Sequence, residues 1–500
     1  MDQHETRALT DDQTGTHLGL WDAVSIIVGI VVGTMIFRAP QLVFGNVENA
    51  WWGMFAWALG GMLALVGSFC YAELATTYPR MGGDYVYLTR AFGRRAGFLF
   101  GWAQLTVILT GSIGAMAYAF GDYAVQLFDL NVDYVVWWAV GSIVVLTAMN
   151  LMGVICGKTT QNILSLIKVA GLLGVVVVGF GWGGGMVAGP IGEAPEMLQD
   201  AVTLVDAPAA GVTARSIGEM LSRFGLAMVF VFYSYGGWND AAFVAAEVKN
   251  RKRNLPWALF IGTGGITIIY LLVNAAYLYG LGFAGVSASP TPAADVLALA
   301  LGDWGARGMS LLVMLSALGA INGLIFTGAR IYVGLGSDHQ LFALLGRWHA
   351  RRNTPIYSLL AQSSISLILV LMVGTQFGRD SVDAVLTTMF LPALPWAEYF
   401  GGFDTLVAGT APVFWIFFLG TGLSVFVLRA KDRGIERPFS APFFPLEPII
   451  FCLMCVYMLY SALDYAKGLA LMGLVPLAIG LPLYTISCRL GAPKKGGVRS

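Results

Sequence analysis

Apolar runs of about 20 residues, the length that carries a helix across a bilayer, recur along the chain with short polar stretches between them. They fall at roughly 19–44, 51–77, 97–128, 133–155, 160–185, 218–247, 256–282, 305–336, 356–376, 405–429, 445–464 and 468–489. The pattern predicts an all-α polytopic membrane protein with twelve transmembrane helices and both termini on one side. A further apolar stretch, 381–403, is broken by Pro392 and Pro395 and reads as interfacial or re-entrant rather than as a thirteenth span. A short helix is expected over Asp295 to Leu301, in the loop before span 8.

Two spans depart from uniform apolarity. The first contains Gly29-Ile30-Val31-Val32-Gly33-Thr34-Met35-Ile36-Phe37, and the sixth contains Tyr233-Ser234-Tyr235-Gly236-Gly237-Trp238-Asn239-Asp240. A spanning helix satisfies its backbone internally, so glycines with polar neighbours at mid-depth predict points where the helix opens and offers bare amides and carbonyls. Glycines that merely pack against a neighbouring helix are the alternative. If spans 1–5 and 6–10 are two repeats, both breaks fall in the first helix of a repeat, and the odd number of spans makes the repeats inverted. That arrangement points to a secondary transporter with its substrate site near the bilayer midplane. The division is then a tail at 1–18, a first repeat at 19–185, an extracellular loop at 186–217, a second repeat at 218–429, spans 11 and 12 within 430–489, and a tail at 490–500.

Composition supports the membrane class, because 57% hydrophobic and 12% charged residues over 500 positions leave about half the charge of a soluble domain. The net charge of zero hides a sorting by side. Of the lysines and arginines, 21 lie in the tails and in the loops that share their side, whereas the opposite loops hold Arg215, Arg307, Arg379 and Lys467. By the positive-inside rule both termini are cytoplasmic. The four histidines lie in the N-terminal tail or a loop, and the five cysteines lie in or beside apolar segments, which argues against a histidine proton relay and against a disulfide framework. Cys452-Leu-Met-Cys455 sits in an apolar run and reads as packing. The chain carries no metal-ligand spacing, nucleophile motif or phosphate-binding glycine loop, so neither an enzyme nor a cofactor or metal is expected.

A few charges fall inside the spans. Lys168 lies about two turns into span 5; it is either a buried lysine able to release a proton, hence a coupling group, or one that snorkels to the interface. Asp240 could cap the reopened helix of span 6 or meet a cationic group of the substrate. Glu73, Glu247 and Arg330, at the cytoplasmic ends of spans 2, 6 and 8, read as a gate network or as solvated helix ends. Arg38 follows the first break toward the outside, and Asn322 in span 8 reads as a helix–helix hydrogen-bonding residue.

The chain resembles the amino acid-polyamine-organocation superfamily, and within it the L-type amino acid transporters and their bacterial relatives. The matching residues are Gly33-Thr34-Met35-Ile36-Phe37, where the family has Gly-Ser-Gly-Ile-Phe; Tyr71-Ala72-Glu73-Leu74 through Pro79-Arg80-Met81-Gly82-Gly83-Asp84-Tyr85 to Ala91-Phe92-Gly93; and Tyr235-Gly236-Gly237-Trp238-Asn239. They continue with Glu247-Val248-Lys249-Asn250 to Arg253-Asn254-Leu255-Pro256, and with Ala320-Ile321-Asn322-Gly323 to Arg330. The resemblance implies the 5+5 inverted-repeat fold of the leucine-transporter (LeuT) type with helices 1 and 6 broken around the substrate. It implies that the amides of Thr34, Met35 and Ile36 hold a carboxylate and that the carbonyls of Val31, Tyr233, Ser234 and Gly236 hold an ammonium group. Tyr233 takes the place of an aromatic gate, and Trp238 and Asn239 line or brace the pocket. It also implies a coupling role for Lys168, since some proton-coupled relatives carry a lysine at that place. Met35 departs from the family glycine, so either the unwound turn is altered or the side chain narrows the pocket.

The function expected is a secondary active permease for amino acids or related amines working by alternating access, proton-coupled or an exchanger; a non-transporting sensor on the same fold is the alternative. The expected partners are a small-molecule substrate and the lipid bilayer. A nucleic acid is not expected, and a partner subunit is left open.

Overall fold

The computed structural model describes residues 17–182, 217–289, 291–302, 304–396 and 401–490. The N-terminal tail, nearly all of the expected extracellular loop and the C-terminal tail therefore lie outside the described residues. So does part of the proline-broken stretch, whose beginning falls in a helix that ends at Thr388.

Apolar runs become helices in the expected order. They are α1 (Leu20–Val31), α2 (Met35–Phe44), α3 (Ala50–Thr77), α4 (Asp84–Phe92), α5 (Arg94–Ala103), α6 (Leu109–Leu127), α7 (Val135–Leu151), α8 (Val154–Trp182), α9 (Ile217–Tyr235) and α10 (Arg251–Ala288). The series continues with α11 (Pro292–Leu301), α12 (Trp304–Asp338), α13 (Ile356–Gly374), α14 (Gln376–Thr388), α15 (Gly402–Lys431), α16 (Leu446–Ala466) and α17 (Ala470–Leu490). Among the described residues nine helical segments are long and apolar enough to cross a membrane, or ten if α1 and α2 are one bent span. One of the nine, Leu446–Leu490, is α16 and α17 joined through the short turn Lys467–Leu469. α12 is the most enclosed segment, and α16 with α17 the most peripheral. The short helix anticipated near Asp295 is α11, packed against α8, α10 and α12.

Three interruptions shape the interior. α1 and α2 meet at 53°. Val32 leaves the helical region at ψ 75°, and the Gly33 amide closes a tight turn on the Val31 carbonyl at 2.7 Å. A π turn over Gln104–Ile108 joins α5 to α6; Gln104 O accepts from the Leu109 amide and also from the Tyr332 hydroxyl at 3.0 Å. The third interruption follows α9, where Gly237 takes φ +102°, a left-handed conformation that a side chain disfavours.

Beyond Gly237 the expected second half-helix is instead a 3-10 segment, Trp238–Glu247. The Asp240 amide bonds the Gly237 carbonyl at 3.2 Å, and no side chain caps the segment. The capping role expected of Asp240 is therefore corrected. The left-handed glycine makes the turn, and the Asp240 carboxylate accepts from Asn239 Nδ2 at 3.2 Å.

Candidate functional site

The two helix breaks touch. Ile30 packs so closely on Gly237 that a Cβ there would lie 2.6 Å from Ile30 Cγ2. The Tyr270 hydroxyl of α10 lies 3.1 Å from the carbonyl oxygens of both Val31 and Ser234, so its single proton is shared between the broken ends of α1 and α9. Two of the carbonyls assigned by resemblance to an ammonium group are thus already engaged. The Ser234 hydroxyl turns back to its own helix at Phe230 O.

Lys168 does not snorkel. It is 1% exposed, and its Nζ donates to Gly29 O at 2.6 Å and Val32 O at 2.8 Å, the carbonyls that the break leaves without helical partners. Gly319 makes the room, since a Cβ there would sit 2.6 Å from Lys168 Cε. Ser316 of α12 adds a hydroxyl to Val32 O at 2.8 Å. Asn322 bridges helices as expected, donating to Gln161 Oε1 and accepting from Asn150 Nδ2, each at 2.8 Å.

Beyond the break, Met35 opens α2. None of Gly33, Thr34 and Met35 has a positive φ, so the turn as it stands makes no use of a glycine's conformational freedom at position 35. The Thr34 side chain makes no cap, and the first amides of a helix have no intrahelical acceptor, so the start of α2 keeps donors of partial positive charge. The Ile36 side chain is fully buried and Thr34 nearly so, which leaves Met35 as the side chain of this turn that faces open space.

That space is a cavity of about 900 Å³ reached by both breaks. Met35 and Ile30 line it from the first; Tyr233, Gly236, Gly237, Asn239 and Asp240 line it from the second. Trp238 is not among its walls and packs instead against Tyr71, Phe418 and Phe451. Two buried polar lining residues were not among the candidates, Asp84 at the start of α4 and Gln104 in the π turn. The lining also includes Arg38, Arg223 and Asp464.

A buried ion pair ties the end of the 3-10 segment to α12. Arg330 and Glu247, each 1% exposed at the side chain, pair at 2.8 Å, and the Arg330 guanidinium stacks 4.0 Å from the Phe326 ring centroid. Leu18 adds two backbone bonds to the same place, from its amide to Glu247 O and from the Lys249 amide to its own carbonyl. Glu73 does not join this network. Its carboxylate is held by Arg429 and Arg437 and by the Ala441 amide, so the expected single network is two separate clusters, and Arg429 is the partner the sequence reading lacked.

A profile of the amino acid permease family matches residues 18–484. The chain belongs to that family. It is accordingly a membrane transporter for amino acids and not an enzyme. It is similar to the b(0,+)-type amino acid transporter 1 of Mus musculus, at 26% identity over 92% of this chain and 88% of the relative. It is likewise similar to the serine/threonine exchanger SteT of Bacillus subtilis (strain 168), at 27% over 95% and 97%. The human large neutral amino acids transporter small subunit 2 shares 28% identity over 93% of this chain and 79% of that protein.

Proposed function

We propose that this permease binds the zwitterionic end of an amino acid where the breaks of the first and sixth spans meet, and moves it by alternating access. The observation that carries the reading is a single cavity that reaches both breaks. The uncapped start of α2 offers amides for a carboxylate, and the Tyr233 and Gly236 carbonyls, with Asn239 close by, are the acceptors for the ammonium group. Val31 and Ser234 act less directly, holding the two breaks together through Tyr270.

The reading takes α1–α2 as one span and α9 with Trp238–Glu247 as another. With α16 and α17 separate, these give twelve spans, ten in a 5+5 inverted repeat and two beyond it. With the basic termini and loops cytoplasmic, the Glu247–Arg330 pair lies toward the inside. Two couplings fit this geometry. Exchange of one amino acid for another needs no ion, whereas proton coupling assigns the transferred proton to Lys168.

Purified protein in liposomes, with and without a pH gradient, separates them. Uptake that rises with an inward proton gradient, and loses that response in Lys168→Ala, is expected of proton coupling. Gradient-independent exchange, unchanged in Lys168→Ala, removes it and leaves exchange. Binding without flux would overturn transport altogether.

A further inference from the structure

Four buried polar residues of the cavity lining, Asp84, Asp240, Gln104 and Asn239, offer side-chain oxygens. Asp84 accepts from the Thr421 hydroxyl at 3.0 Å, and Asp240 accepts from Asn239 Nδ2; among the described residues neither carboxylate has a lysine or arginine within ion-pair distance. The two segments adjoin, since the Gly82 amide bonds Phe243 O at 3.2 Å and Gly83 lies against the backbone of Ala242. A second observation points to a ligand. The side-chain oxygens of Gln104 and Asn239, on residues 4% and 2% exposed that line the same cavity, have no hydrogen-bond partner. The Asn239 amide nitrogen is turned to Asp240, which directs its oxygen elsewhere.

Two buried carboxylates without a counter-charge are costly, and a cationic group beside them offsets that cost, with the unmet Gln104 and Asn239 oxygens as further acceptors. Over the whole cavity wall the charge is also acidic, with Asp84, Asp240, Asp404 and Asp464 against Arg38 and Arg223.

We propose that Asp84, Asp240, Gln104 and Asn239 form a subsite for a cationic group on the substrate's side chain. The substrates then include amino acids bearing an ammonium or guanidinium group. The inference rests on the preceding reading, in which the zwitterionic end is held at the helix breaks. A cavity of about 900 Å³ has room for so long a substrate.

The test is exchange by the purified protein in liposomes loaded with L-serine, against external L-arginine, L-ornithine, L-leucine and L-citrulline. Citrulline matches arginine in shape and lacks its charge. The expected result is that arginine or ornithine exchanges, with an apparent affinity at least tenfold better than that of citrulline. Asp84→Asn and Asp240→Asn should each lower the arginine-to-leucine selectivity at least tenfold. Exchange confined to neutral amino acids, or equal treatment of arginine and citrulline, overturns the subsite and leaves the permease reading standing; so does a selectivity unchanged in both variants. If a variant fails to fold, the arginine–citrulline comparison in the unaltered protein decides alone. Failure of both exchange and uptake under an inward proton gradient, for every one of these amino acids, would overturn the permease reading as well.

Discussion

Gly29 and Val32 present carbonyls that α1 cannot satisfy, and Lys168 is their donor. Lys168→Met leaves Gly29 O without that donor and Val32 O with Ser316 alone, and about 1–3 kcal/mol of stability should be lost, read as a lower thermal midpoint in detergent. Tyr270→Phe removes one shared proton from two carbonyls and should cost about 1 kcal/mol, with a larger effect on transport, because the tie joins both breaks. Met35→Gly should widen the range of amino acids taken up in liposomes, since the Met35 side chain lines the cavity. An unchanged range would show that the Met35 side chain does not restrict the site. At this scale the sequence announced the backbone anomalies, since glycines and a lysine inside apolar runs are visible as breaches of a pattern. It did not announce their partners. Tyr270 lies 239 residues from Val31, and Asp84 and Gln104 sit in segments whose polarity has ordinary explanations, a loop end for one and a helix face for the other.

The elements were legible because apolar run length sets span length, and the breaks because glycine and polar residues cluster there. The character of the second break was not legible. A run such as Trp238–Glu247, rich in alanine, has the composition of an α-helix; its 3-10 form depends on the left-handed turn at Gly237 and on packing against Ile30. Gly237→Ala meets both constraints at once, the positive φ and the 2.6 Å approach, and should destabilise the protein by at least 1–2 kcal/mol, measured by thermal unfolding. The Glu247–Arg330 pair shows how a tie between elements is tested. Either partner replaced alone strands a buried charge, at about 3–5 kcal/mol, whereas Glu247→Leu with Arg330→Met should recover most of that loss. A double variant no more stable than the singles would mean that the pair is not buried in solution.

Across the whole molecule, ion pairs fasten α3 and α4 to the end of α15 and the segment after it. Tyr78 and Arg90 both bond the Asp432 carboxylate, and Arg429 holds Glu73. The Arg90 guanidinium holds Asp432 below the ordinary aspartate value of 3.8. A carboxylate depressed in the folded state contributes stability that is present above the ordinary value and is lost as pH falls through the folded one. Stability followed from pH 7 to pH 3 should therefore drop at the acid end, and less so in Arg90→Ala. Because Arg90 is partly exposed, about 1 kcal/mol or less is involved. Along the opposite flank, α1 is laced to α8 for its full length. Lys158 and Asn162 hold Asp22, Ser165 holds Ser25 O, and Lys168 holds Gly29 O. The lacing makes a lever of the pair: α1 cannot swing without carrying α8 or snapping four ties. Spin labels on these two helices should therefore keep one separation throughout the transport cycle.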